Sequence, residues 1–147
     1  MAPSNAKPRI VIESVPNPEC RLFHTAYRIS DYSILHFSAP IQDYNERDLR
    51  DVGEIGASLT IEICAIGGVS EVFIKPFELH VTKALAFEWN ELEPQLIERL
   101  VATYNRTMES KLTLVDFDIS RRDNRSRLQS EDFLGSQETD KLDNPSL

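Results

Sequence analysis

Apolar positions along this chain change their spacing several times, and each change marks an element. Arg9-Ile10-Val11-Ile12-Glu13 has the β-branched content of a strand, and Pro16-Asn17-Pro18 turns the chain into a second strand over Arg21 to Tyr27. Together they read as a hairpin. Ser33 to Ser38 is again strand-like and is ended by Pro40; an edge strand and an extension of a loop both fit it. From Leu49 the apolar residues fall at Leu49, Val52, Ile55, Leu59, Ile63 and Ile66, steps of three or four that share one helix face. Gly53 and Gly56 weaken the start of that run, so its best part is predicted over Ala57 to Ala65, with Gly67-Gly68 as the stop.

Two more strands follow, Val69 to Ile74 and Phe77 to Lys83, joined at Lys75-Pro76. In the second, Phe77, Leu79 and Val81 fall on one face and Glu78, His80 and Thr82 on the other, so one face packs and the other is wetter. Phe73, Phe77, Leu79, Val81 and Trp89 are expected to be packing residues. A last helix opening near Asn90 or Glu93 puts Leu92, Leu96, Ile97, Leu100, Val101 and Tyr104 on one stripe, with Pro94 in its first turn. The order ββαββα predicts an α+β two-layer sandwich, an antiparallel sheet with two helices on one face.

Composition narrows the function. A length of 147 residues, 41% of them apolar, suits one domain with extra segments. The formal charge of -8 disfavours nucleic acid and anionic membrane, which need a cationic surface, and favours a basic protein surface as partner. No run approaches the ~20 apolar residues that span a bilayer, and Met1 to Lys7 has no apolar signal core, so the expected location is cytoplasmic. Residues 1–7 are expected to be a flexible N-terminus, residues 8–104 the folded domain, and residues 105–147 mostly a disordered polar tail. Within that tail Leu112 to Ile119 has the pattern of one short strand. Arg121, Arg122, Arg125 and Arg127 form a basic cluster, but Asp118, Asp123, Glu131 and Asp132 lie beside them, so a solvated tail is expected.

One stretch carries family marks as well as a pattern. Gly68-Val69 closes a helix, a strand passes through Val72-Phe73, the next ends in Val81-Thr82-Lys83, and Trp89 precedes a helix opening Leu92-Glu93-Pro94. These residues resemble the N-terminal domain of the Nfu/NifU-type iron–sulfur scaffold proteins. Pro16-Asn17-Pro18 followed by Phe23 is similar to the family's Pro-Asn-Pro-Asn turn, with Glu19 in place of the second Asn. The resemblance spans roughly residues 8–104, with an apparent insertion at about 28–50. In that family the cluster sits on a Cys-x-x-Cys motif in a separate C-terminal domain. Residues 105–147 contain no cysteine, so the resemblance implies the N-terminal domain alone, without the cluster-binding part.

The chain's own chemistry agrees with a non-catalytic role. There is no glycine-rich phosphate loop, nucleophile elbow or His-Glu-x-x-His, and no enzyme activity is expected. Cys64 lies in an apolar run and reads as a small buried hydrophobe. If neighbouring strands bring Cys20, His24 and His80 together, they offer a thiolate and two imidazoles to a metal, the weaker of the available readings; His36 lies on another predicted strand. No cofactor is expected, an iron ion or iron–sulfur cluster being only the alternative. The expected function is an accessory or protein-interaction module related to iron–sulfur cluster assembly, meeting an assembly component or client through Asn17, Glu19, Cys20, Glu78, His80 and Thr82. The alternative is a general interaction domain of the same fold with no iron role.

Overall fold

The computed structural model describes residues 7–107 and 116–124. It is an α+β sandwich with six strands in the order β3-β4-β5-β2-β1-β6. In chain order the strands are β1 (Arg9–Ser14), β2 (Cys20–Thr25), β3 (Leu35–Ser38), β4 (Val69–Lys75), β5 (Glu78–Lys83) and β6 (Asp118–Asp123). The helices are α1 (Glu46–Val52), α2 (Glu54–Cys64) and α3 (Trp89–Thr107), with a short 3-10 turn at Asp43–Asn45 before α1.

Alternation along the strands sends one set of side chains into the core. Ile10, Ile12, Phe23, Phe37, Val72, Ile74, Leu79 and Val81 are buried together with Val52 of α1, Leu59 and Ile63 of α2, and Leu92, Leu96 and Leu100 of α3. All three helices therefore pack on one face of the sheet. Burying a Leu, Ile or Phe side chain contributes roughly 1.5–3 kcal/mol, so these positions dominate the stability of the fold.

Several details differ from the pattern in the sequence. The sheet is mixed rather than antiparallel, because β6 runs parallel to β1, from Arg9 against Asp118 to Ser14 against Asp123. Ser120 to Asp123, expected to be disordered, form most of that strand. A parallel pairing with the first strand is a contact across the whole domain, which local composition does not encode. Residues 105–107, assigned to the tail, extend α3. The rest of that tail, residues 108–115 and 125–147, lies outside the described residues, as does nearly all of the expected N-terminal arm.

The helix begun at Leu49 is two helices. Gly53 sits at their junction with φ +95°, a left-handed conformation that α-helix cannot continue. Glu88 caps α3: its carbonyl accepts the amides of Glu91 and Leu92, and Glu91 Oε1 accepts the Glu88 amide at 3.0 Å. The helix thus opens at Trp89, and Pro94 lies inside it rather than in its first turn. Phe77, expected in the core, falls in the β4–β5 turn and is 48% exposed, with Arg28 over its ring. Residues 28–50 contribute to the core and the sheet: Ile29 and Phe37 are fully buried, and β3 pairs antiparallel with β4 at the sheet edge.

Candidate functional site

Opposite the helices the sheet presents its second set of side chains, and these form one connected row across all six strands. The register places Arg122 (β6) beside Glu13 (β1), Leu22 (β2) beside His80 (β5), His24 (β2) beside Glu78 (β5), and Phe73 (β4) between His80 and His36 (β3). Arg122 Nη2 donates to Glu13 Oε1 at 2.9 Å, and His24 Nε2 meets the same oxygen at 2.6 Å. His24 Nδ1 lies 3.8 Å from Glu78 Oε1, and the other Glu78 oxygen bonds His80 Nε2. Beyond them the Phe73 ring packs on His36 with centroids 4.5 Å apart, and His36 Nε2 reaches Glu71 Oε1 at 3.2 Å.

The row is polar, but it is not loose. Glu13 is 7% exposed; burial alone would raise its pKa, yet the hydrogen bonds and charges of Arg122 and His24 outweigh burial and hold its carboxyl below the ordinary value. His24, Glu78 and His80 are each about one-quarter exposed, and His36 and Glu71 somewhat less than half. Phe73, expected in the core, is part of this open face instead. It supplies the apolar centre of an otherwise charged surface.

The site residues named from sequence divide between this face and the turn at its end. Glu78, His80 and Thr82 lie on the open face, with Cys20 opposite Thr82 and Leu22 opposite His80. The Cys20 thiol is half-buried; burial pushes its pKa up, Glu71 adds to that, and a hydrogen bond with Thr82 opposes it. Asn17 and Glu19 shape the turn. Asn17 Oδ1 accepts the Glu19 amide and the Asn17 carbonyl accepts the Cys20 amide, both at 3.0 Å. Trp89 pins the turn to α3 by donating Nε1–H to the Pro18 carbonyl at 2.9 Å.

Cys20, His24 and His80 therefore share a face without forming a ligand set. Among the described residues no group of three or more His, Cys, Asp or Glu side chains is arranged to hold a metal ion. The physical reason is local: Nε2 of each imidazole already meets a carboxylate oxygen. Cys64 is buried on α2, on the far side of the sheet from Cys20, where burial pushes its thiol up to about 11. No described helix is long and apolar enough to cross a membrane. Residues missed from sequence are Glu13 and Arg122, and the only sequence signal for them was the alternation that set Glu13 off from Ile10 and Ile12.

No family model matches the chain, and no curated protein does. Solved structures with a similar backbone do exist. One is the crystal structure of protein SAV1430 from Staphylococcus aureus, 14% identical, TM-score 0.48, covering 63% of this chain and 98% of that one. Another is the solution structure of a NifU-like protein from Saccharomyces cerevisiae, 15% identical, TM-score 0.48, covering 75% of this chain and 86% of that one. A third is SeR13 from Staphylococcus epidermidis, 21% identical, TM-score 0.42, covering 63% and 93%. These likenesses concern the path of the backbone alone.

Proposed function

We propose that this chain is a non-catalytic protein-interaction module related to iron–sulfur cluster assembly, docking a protein partner through the open face of its sheet and holding no cluster itself. The observation that carries the reading is the polar row from Arg122 to Glu71: a broad, ordered sheet face with an aromatic centre at Phe73, which no described helix covers. Such a face offers a partner both charge pairing and a stacking surface. The link to iron–sulfur assembly comes from the resemblance carried by Gly68-Val69, Val81-Thr82-Lys83 and Trp89.

The same residues also favour the second reading. Val69, Val81 and Trp89 are buried, so the family marks are marks of fold, and a general interaction domain without an iron role uses the same open face. A cytoplasmic location fits both readings. The arrangement of thiols speaks against a resident cluster, because Cys20 and Cys64 lie on opposite sides of the sheet and a cluster needs several thiolates within bonding reach. Anaerobic reconstitution with iron and sulfide tests this: no stable visible charge-transfer absorption is expected, and a stoichiometric cluster lost in Cys20→Ser would overturn the proposal.

A further inference from the structure

Lys83 is the last residue of β5 and points to the helix side of the sheet, on the same face as Leu79 and Val81. Only 9% of it is exposed. Its side chain has no hydrogen bond and no carboxylate partner among the described residues, whereas the nearby Arg21 is matched by Glu93 at 2.6 Å. Most of the residue is covered, while its ammonium, unpaired among the described residues, opens into a pocket where an anion can meet it.

The space around it is shaped to receive one. Lys83 lines an open pocket of about 360 Å³ between the Pro16 to Cys20 turn and the start of α3. That volume lies within the range of small-molecule sites, which is roughly 300–1,000 Å³. Trp89 opens the nineteen-residue α3 beside the pocket, so the positive end of the helix faces the same region. Val15, Pro18 and Trp89 give the wall an apolar part, and Leu85 stands at the pocket 78% exposed. Glu19 and Glu88 also line it, and their charges oppose a second negative charge on any ligand.

We propose that this pocket binds a monocarboxylate with an apolar or aromatic body, its carboxylate on Lys83 and its body against Trp89 and Leu85. A single unmatched cation with two acidic neighbours suits one negative charge and not a phosphate dianion. The carboxylate belongs either to a small organic acid or to the free C-terminus of a peptide. The site is independent of the open sheet face, so either assignment stands if the other fails.

Trp89 is the sole tryptophan, so its fluorescence and its indole N–H resonance report directly on the pocket wall. The test titrates the intact chain with 3-phenylpropionate, with its isosteric amide, with phenyl phosphate, and with a short peptide ending in leucine as the free acid or the amide. The expected result is a saturable Trp89 response to at least one of the two acids, at least about tenfold weaker for the matching amide and for phenyl phosphate, and at least about tenfold weaker in Lys83→Met. A response to phenylpropionate alone assigns small acids; a response to the free-acid peptide alone assigns a chain terminus. No saturable response to either acid, equal binding of acid and amide, or unchanged affinity in Lys83→Met overturns the proposal. If Lys83→Met does not fold, the acid-against-amide comparison on the unaltered chain still decides.

Discussion

Arg122, in the last described strand, donates to Glu13, in the first, at 2.9 Å, and so ties the C-terminal edge strand to the polar row of the open face. Glu13 is nearly buried and its pKa is held below the ordinary value of 4.5. A depressed carboxylate pKa stabilises the fold above about pH 4.5, and that stability is lost as pH falls through the lower folded value. Glu13→Gln should therefore cost about 1–2 kcal/mol near pH 7 and flatten the acid side of the stability curve. Urea denaturation at pH 7 and at pH 3.5 checks both parts; a constant difference between variant and parent across that range would count against the pairing.

Tyr27 joins the loop after β2 to the middle of α3, its hydroxyl donating to the Leu100 carbonyl at 2.7 Å. Its ring also meets Tyr104 edge-on at 4.9 Å. Tyr27→Phe should destabilise the chain by about 1 kcal/mol, since it removes a buried hydrogen bond made in addition to the helical one at the Leu100 carbonyl. Burial, and secondarily Tyr104, push the Tyr27 pKa well above 10, so folding loses stability as pH rises past 10, where the unfolded chain ionises first. Thermal melts between pH 8 and 11 should show a shallower alkaline decline in the phenylalanine variant.

Thr60 presents the opposite case. It is fully buried in α2, and its hydroxyl has no hydrogen-bond partner among the described residues. Thr60→Val replaces that hydroxyl with a methyl of similar size and keeps the β-branching, so it should stabilise the fold by up to about 1 kcal/mol. A higher denaturation midpoint with an unchanged slope is the expected outcome.

Gly68 holds φ +102° at the start of β4, and a Cβ there would lie 2.6 Å from Cδ2 of Phe87. Gly68→Ala meets both backbone strain and a clash, and should cost about 2 kcal/mol or more. Gly67 has open space where a Cβ would go and no positive φ, so Gly67→Ala is the matched control and should change stability little. Equal effects at the two glycines would show that the turn is not conformationally demanding.

Most of the architecture was legible because it is local. Alternation in β1 and β5, the three-and-four spacing of α2 and α3, and the glycine stop at Gly68 each follow from residues a few positions apart. The convergence of His24, His80 and Thr82 followed from strand periodicity once β2 and β5 were neighbours. What stayed hidden depends on distant partners. Asp118 to Asp123 is too polar to announce a strand, and becomes one because β1 offers a free edge and because Arg121 and Arg122 find Glu93 and Glu13. Phe73 looked like core because it is large and apolar, but strand parity sends it to the face opposite Val72 and Ile74. Lys83 ends a strand whose inward positions alternate as Leu79 and Val81, and the same parity accounts for its burial.

Docking of a protein partner on the open face of the sheet, as proposed above, is tested by an amide-resolved NMR titration of the isotope-labelled chain with a purified iron–sulfur assembly scaffold. Saturable shifts at His24, Phe73, His80 and Thr82 are expected, and their loss in a Glu78→Lys, Phe73→Ser double variant that remains folded. Shifts confined to α2 and α3, or none at any residue of the polar row, would contradict it.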